Sequence, residues 1–198
     1  MTNGRKLAPE SDYELTVEQL LDLRMGDTNK AFLAFGKAMA AWARIEVGFY
    51  IWFEHITAFD LRQAKPIYYS ATSFSARLSL IRAAITGVQL EADEMAFIDE
   101  AMKLANPYSS FRNKLAHGEF TLDGLVIEGK HVDRKLARAE AISADKLKKY
   151  THRFNDFAEL LLQARDLALG FNDEDHEPGL TLSHCTQRVA ALRKELTG

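Results

Sequence analysis

Apolar side chains recur at steps of three and four along most of the chain, the spacing that lines one face of an α-helix. Phe32, Phe35, Met39, Trp42, Ile45, Phe49, Trp52 and Ile56 form the longest such stripe. They predict a helix from about Thr28 to about Thr57, roughly 45 Å long at ~1.5 Å per residue. Tyr50 and Phe53 widen its apolar face, so it is expected to be buried on two sides. Thr16 and Gln19 have capping-box spacing, and Val17 to Leu23 reads as a short separate helix before it. After a loop containing Pro66, Thr72 or Ser73 caps a helix carrying Phe74, Leu78, Ile81 and Ile85, with Gly87 beyond its end. Glu91 to Leu104 makes another helix through Met95, Ile98 and Met102. Asn106 and Pro107 then serve as cap and first residue of a new one, with Tyr108, Phe111 and Leu115 on one face and Gly118 at its stop.

The period changes once. Glu119 to Glu128 alternates around Asp123-Gly124, a preferred two-residue turn, and predicts a small hairpin that needs helices to pack on. Ser143 caps the last long helix, on which Leu147, Tyr150, Phe154, Phe157, Leu161 and Ala164 share a face, with Gly170 past its end. Asn172 to Gly179 is an acidic linker holding Pro178, and a short helix with Cys185, Val189, Leu192 and Leu196 follows. These elements predict an all-α protein: a four- to five-helix up-down bundle with a small β-hairpin inserted after the helix of Tyr108 to Leu115. The expected organisation is a flexible segment over 1–15, a helical bundle over 16–170, and a linker with a C-terminal helix over 171–198.

Composition changes this picture only in what it excludes. The 198 residues are 47% hydrophobic and 27% charged, which rules out disordered and fibrous classes. A formal charge of -3 argues against a protein that coats nucleic acid nonspecifically. The single cysteine, Cys185, excludes an intramolecular disulfide and a cysteine-based zinc finger, and suits a reducing cytoplasm. The polar opening from Met1 to Asp12 does not read as a leader, and no charge-free stretch reaches the ~20 residues of a membrane helix. A cytoplasmic protein without a membrane partner is expected.

Most familiar chemistry is missing. The eleven glycines form neither a dinucleotide fingerprint nor a phosphate loop, and Glu54-His55 lacks the second histidine of a zinc helix. His176, His184 and Cys185 match no standard metal spacing, so no metal or other cofactor is expected. His55, His131 and His152 read as solvated single histidines. There remains Phe111-Arg112-Asn113-Lys114-Leu115-Ala116-His117-Gly118. Asn113 and His117, four apart, stack on one helical face. Arg112 lies about 140° round an ideal helix from His117, so the two meet at one site only if the helix end distorts or a second copy contributes. His117 falls at the C-terminal turn, where the helix dipole favours a cation. A histidine beside an obligate cation suits acid–base work on a phosphodiester. The bland alternative is that these side chains cap carbonyls and bind water.

Arg112-Asn113-x-x-x-His117 resembles the R-x4–6-H motif of the HEPN superfamily (higher eukaryotes and prokaryotes nucleotide-binding), in which a polar residue is favoured after the arginine. The likeness spans roughly Thr28 to Gly170, though its specific content is about six residues. It implies a metal-independent endoribonuclease acting as a homodimer, with the motif helices facing across the interface. By motif position Arg112 would hold the scissile phosphate, and His117 would serve as base or acid for attack by the ribose 2′-hydroxyl. Asn113 would orient the pair or bind phosphate. The product implied is a 2′,3′-cyclic phosphate. The resemblance also suggests a toxin or antiviral abortive-infection effector, working beside an antitoxin protein.

Charge distribution tempers the objection raised by the overall balance. Tyr108 to Arg138 holds six basic and four acidic residues, a net +2, leaving -5 for the remainder. Lys114, Lys130, Arg134 and Lys135, with Arg138, form a candidate phosphate track for RNA. The alternatives are a helical domain that binds RNA or nucleotide without cleaving it, and a regulatory dimer in which Arg112 and His117 only stabilise the interface.

Overall fold

The computed structural model describes residues 17–121, 124–127, 140–171 and 179–196. The fold is all-α in its core, and the described residues hold six helices and a small sheet: α1 (Val17–Thr57), α2 (Leu61–Ser70), α3 (Phe74–Thr86), α4 (Ala92–Ala116), β1 (Glu119–Thr121), β2 (Gly124–Ile127), β3 (Glu140–Ile142), α5 (Ala144–Ala168) and α6 (Leu182–Lys194). The flexible segment expected over 1–15 and most of the acidic linker lie outside the described residues.

Helix α1 is continuous, so no break separates Val17–Leu23 from the long helix. Its N-terminal half also turns differently from the aromatic stripe. Ala31, Ala34, Ala38 and Ala41 are buried, whereas Phe32 is 49% exposed and Phe35 and Met39 are half-buried. From Trp42 onward the large residues face inward: Trp42, Ile45, Phe49, Trp52 and Ile56 are all in the core. The main partner of α1 is α5. Gly48 faces Leu161 across that contact, and the Trp52 indole Nε1–H donates to the Leu161 carbonyl at 2.8 Å.

Both interior prolines overturn the boundaries expected of them. The segment expected as a loop around Pro66 is helix α2, started by Asp60, whose Oδ1 accepts from the amides of Arg62 (2.8 Å) and Gln63 (3.0 Å). Likewise α4 runs through Pro107 without restarting. A helical proline deprives the carbonyl four residues earlier of its donor. Both prolines are exposed, so those carbonyls remain open to hydration, while Tyr68 and Tyr108 just beyond them are buried. Burial of such rings, each contributing ~150–250 Å² of contact, outweighs the local cost.

The remaining ends follow local capping chemistry. Ser73 Oγ accepts from Ala76 N (3.1 Å) at α3, and Ser143 Oγ accepts from Lys146 N (3.2 Å) at α5. After α5, Gly170 takes a positive φ of 75°. Its amide reaches Leu167 O, and that of Phe171 reaches Asp166 O, which closes the helix in a Schellman turn. The three strands form an antiparallel sheet in the order β1-β2-β3, with Thr121 paired to Gly124 and Leu125 to Ile142. Gly124 is therefore a strand residue, not a central residue of the turn. Helix α6 packs on α4 and α5, burying Cys185 and Val189, and Arg193 Nε donates to Glu100 Oε1 of α4 at 2.6 Å.

Candidate functional site

The motif helix is fixed by its apolar face. Tyr108, Phe111 and Leu115 are buried. Phe111 stacks on Tyr150 of α5, ring planes 9° apart, and Tyr108 meets Phe154 and Phe157 edge-on. This clamp presents the adjacent face of α4 towards α3 and α1.

On that face Arg112 is half-buried, and its Nη1–H donates to Asn113 Oδ1 at 3.2 Å. Its Nε–H is buried with no acceptor. Arg112 has no ion-pair partner among the described residues, so its charge is uncompensated locally. Lys114 is exposed on the last turn of α4. His117 is the C-cap residue; its amide donates to the carbonyls of Asn113 (3.2 Å) and Lys114 (3.3 Å), and its side chain is exposed. Arg112 and Asn113 are joined by their hydrogen bond, and the His117 amide closes the last turn on the Asn113 carbonyl, which sets His117 one turn beyond Asn113. Lys130, Arg134 and Lys135, with His131, lie outside the described residues.

Arg112 and Asn113 border a cleft of about 510 Å³ between α1, α3 and α4, and His117 does not line it. The start of α3 lines it too, with Ser73, Ser75 and Arg77, and so does Ser109 of α4, one turn before Arg112. Trp42 and Glu46 of α1 form the floor. Trp42 is 1% exposed, packed edge-on against Phe74, and its indole N–H has no acceptor. Arg77 is held from three directions. Its Nε–H donates to Ala71 O at 3.1 Å, Nη1 pairs with Glu46 Oε1 at 3.5 Å, and its guanidinium lies 4.9 Å from the Tyr69 ring centre. Beneath it, burial pushes the Tyr68 phenol well above its ordinary pKa, opposed by the charge of Arg77. The arrangement offers several N–H and O–H donors and two arginines against one carboxylate, a composition suited to an anion.

Sequence reasoning missed the α1 and α3 contributions. A legible signal existed, since Ser73-x-Ser75-x-Arg77 begins at a helix cap, but its proximity to Arg112 is tertiary. His55 also departs from the solvated reading: its Nε2 is 2.8 Å from Oε1 of Glu94, which is buried. His152 is exposed as expected. Among the described residues no three His, Cys, Asp or Glu side chains are grouped to hold a metal, and no helix is long and apolar enough to cross a membrane. Compared with family models, curated proteins and solved structures, the chain matches none.

Proposed function

We infer that the chain is a metal-independent endoribonuclease of the HEPN type, working as a two-fold dimer in the cytoplasm. The observation that carries this reading is the end of α4. A locally uncompensated Arg112 is tied to Asn113, and one turn on stands an exposed imidazole, His117. Five residues along an ideal helix set Arg112 about 140° round from His117, so in this reading the reacting centre takes two copies, with Arg112 of one facing His117 of the other. The 2′-oxygen attacks phosphorus, and the 5′-oxygen leaves. Imidazole removes the 2′-proton or protonates the departing oxygen, while the guanidinium neutralises the phosphorane. A 2′,3′-cyclic phosphate and a 5′-hydroxyl result.

Purified protein is expected to cleave RNA with EDTA present. His117→Ala and Arg112→Ala should each lower the rate by ~10²-fold or more, the usual worth of a positioned proton-transfer group. Mixing the two inactive variants should restore part of the activity, since a mixed dimer keeps one intact site. Equal cleavage by wild type and both variants would sink the assignment. A second reading, RNA binding without cleavage, is favoured by the absence of His117 from the cleft that holds Arg112; retained RNA binding with no cleavage by wild type selects it. Growth arrest on expression, relieved by His117→Ala, is expected if the enzyme is a toxin or antiviral effector held in check by an antitoxin.

A further inference from the structure

We propose that the cleft between the start of α3 and the Arg112 face of α4 is a binding site for a phosphate monoester, distinct from any strand-cleaving centre that includes His117. Three independent features converge there. The first is Trp42, almost wholly buried, whose N–H has no acceptor although the residue lines the cleft. A buried donor left unpaired is costly, and such groups in native proteins are normally matched by a partner. The Nε–H of Arg112, which also lines the cleft, is likewise buried and unpaired. Both residues line the cleft, so a small turn of either side chain offers its donor to an acceptor held there.

The second feature is the N-terminus of α3, a 13-residue helix. Ser73 Oγ occupies the Ala76 amide, which leaves the other amides of the first turn without an intrahelical acceptor. Their partial positive charge favours an anion. Ser73 and Ser75, whose hydroxyls lie 3.1 Å apart, add donors at the same edge. The third feature is charge. Arg77 and Arg112 line the cleft with one acid, Glu46, which pairs with Arg77 and leaves Arg112 without an ion-pair partner among the described residues. A phosphate monoester carries up to two negative charges and oxygens able to accept from several of these donors at once. The volume of about 510 Å³ leaves room for more than the phosphoryl group. The site shares Arg112 with the cleavage reading but requires neither His117 nor strand scission, so either can fail alone.

Calorimetric titration of the full chain in phosphate-free buffer tests the proposal with inorganic phosphate, AMP and adenosine. Phosphate and AMP should bind, and adenosine should not. Ser75→Asp places a carboxylate at the cleft edge while sitting in the first turn of α3, where an acid suits the helix. It should leave thermal stability intact and weaken AMP binding by at least ~10-fold through like-charge repulsion. Arg112→Gln should do the same, and Trp42→Phe, which deletes one donor to a charged acceptor, should cost about 10-fold. Lys148→Gln, remote from the cleft, should change nothing. A 5′-phosphorylated hexaribonucleotide and its 5′-hydroxyl counterpart identify the source. Tighter binding of the phosphorylated RNA than of AMP makes the ligand an RNA end, and the reverse makes it a free mononucleotide. No binding of phosphate or AMP at millimolar concentration overturns the proposal. So does binding that Ser75→Asp and Arg112→Gln leave unchanged. Cleavage assayed with His117→Ala reports separately on the nuclease reading.

Discussion

Replacing Gly48 with alanine adds one methyl group where α1 lies against α5. In an open helix this change stabilises, because glycine costs about 1 kcal/mol relative to alanine. Here a Cβ on Gly48 would stand 2.9 Å from both Cβ and Cδ1 of Leu161, well inside the ~3.5–4.0 Å of a relaxed carbon–carbon contact. The Cδ1 atom can rotate away, but the Leu161 Cβ is fixed to the backbone, so relief requires α5 to move. Movement stretches the Trp52–Leu161 hydrogen bond, 2.8 Å long and worth ~0.5–1.5 kcal/mol net. Overpacking of this kind costs ~1–3 kcal/mol. Set against the propensity gain, Gly48→Ala should destabilise by about 1–2 kcal/mol, lowering Tm by about 2–8 °C for a chain of this size. Gly36 on the same helix is exposed, and a Cβ there meets nothing within 4 Å. Gly36→Ala should therefore stabilise by about 0.5–1 kcal/mol. Urea unfolding followed by circular dichroism at 222 nm, with m-values compared, reads both. Gly48→Ala as stable as Gly36→Ala would refute the close approach of α1 to α5.

Three further outcomes follow from buried polar groups. The hydroxyls of Tyr68 and Tyr108 are buried without partners, so Tyr68→Phe and Tyr108→Phe should be neutral or stabilising by up to about 1 kcal/mol in thermal melts at pH 7. Burial holds both phenols above their ordinary pKa of 10.0, so on raising the pH the unfolded chain loses these protons first. Their contribution is complete below pH ~10 and is lost as pH climbs from there towards the folded values. Melting temperature should fall above pH ~10, less steeply in the double phenylalanine variant; an unchanged slope would contradict this assignment. Glu94 both pairs with His55 and accepts from the Glu91 amide at 2.9 Å, so Glu94→Ala should cost about 2–3 kcal/mol in urea unfolding. A loss under 0.5 kcal/mol would mean that neither contact matters.

How much of this was legible in sequence depends on range. Caps at Ser73 and Ser143 and the stop at Gly170 are local, and the residues that make them are adjacent in the chain. The inward turn of the alanines in α1 was not legible, because Phe32 and Met39 carry a stronger hydrophobic signal than Ala31 and Ala38 while the close packing of the core selects by size. Helix α2 and the unbroken α4 were hidden by Pro66 and Pro107, whose local penalty is overridden by burial of tyrosines two and one residues later. Arg112, Asn113 and His117 stood out as residue types at a helix end. That Arg112 shares a cleft with Trp42 and Ser73 depends on three helices far apart in sequence, which periodicity does not encode.

Helix α6 has a consequence in time as well as in space. Helix α4, which carries Arg112, packs chiefly on α6, and the Arg193–Glu100 contact ties the two. The Arg153 guanidinium of α5 reaches Glu195 just past the end of α6, so the same short segment latches both helices. During synthesis at ~5–20 residues per second, α4 is finished several seconds before this latch exists. Through that interval its apolar side facing the future site of Cys185 and Val189 is bare. The nascent chain thus lacks the contacts that Arg193 and Glu195 make to α4 and α5 until α6 has been made, so the helix that carries Arg112 reaches its native packing late.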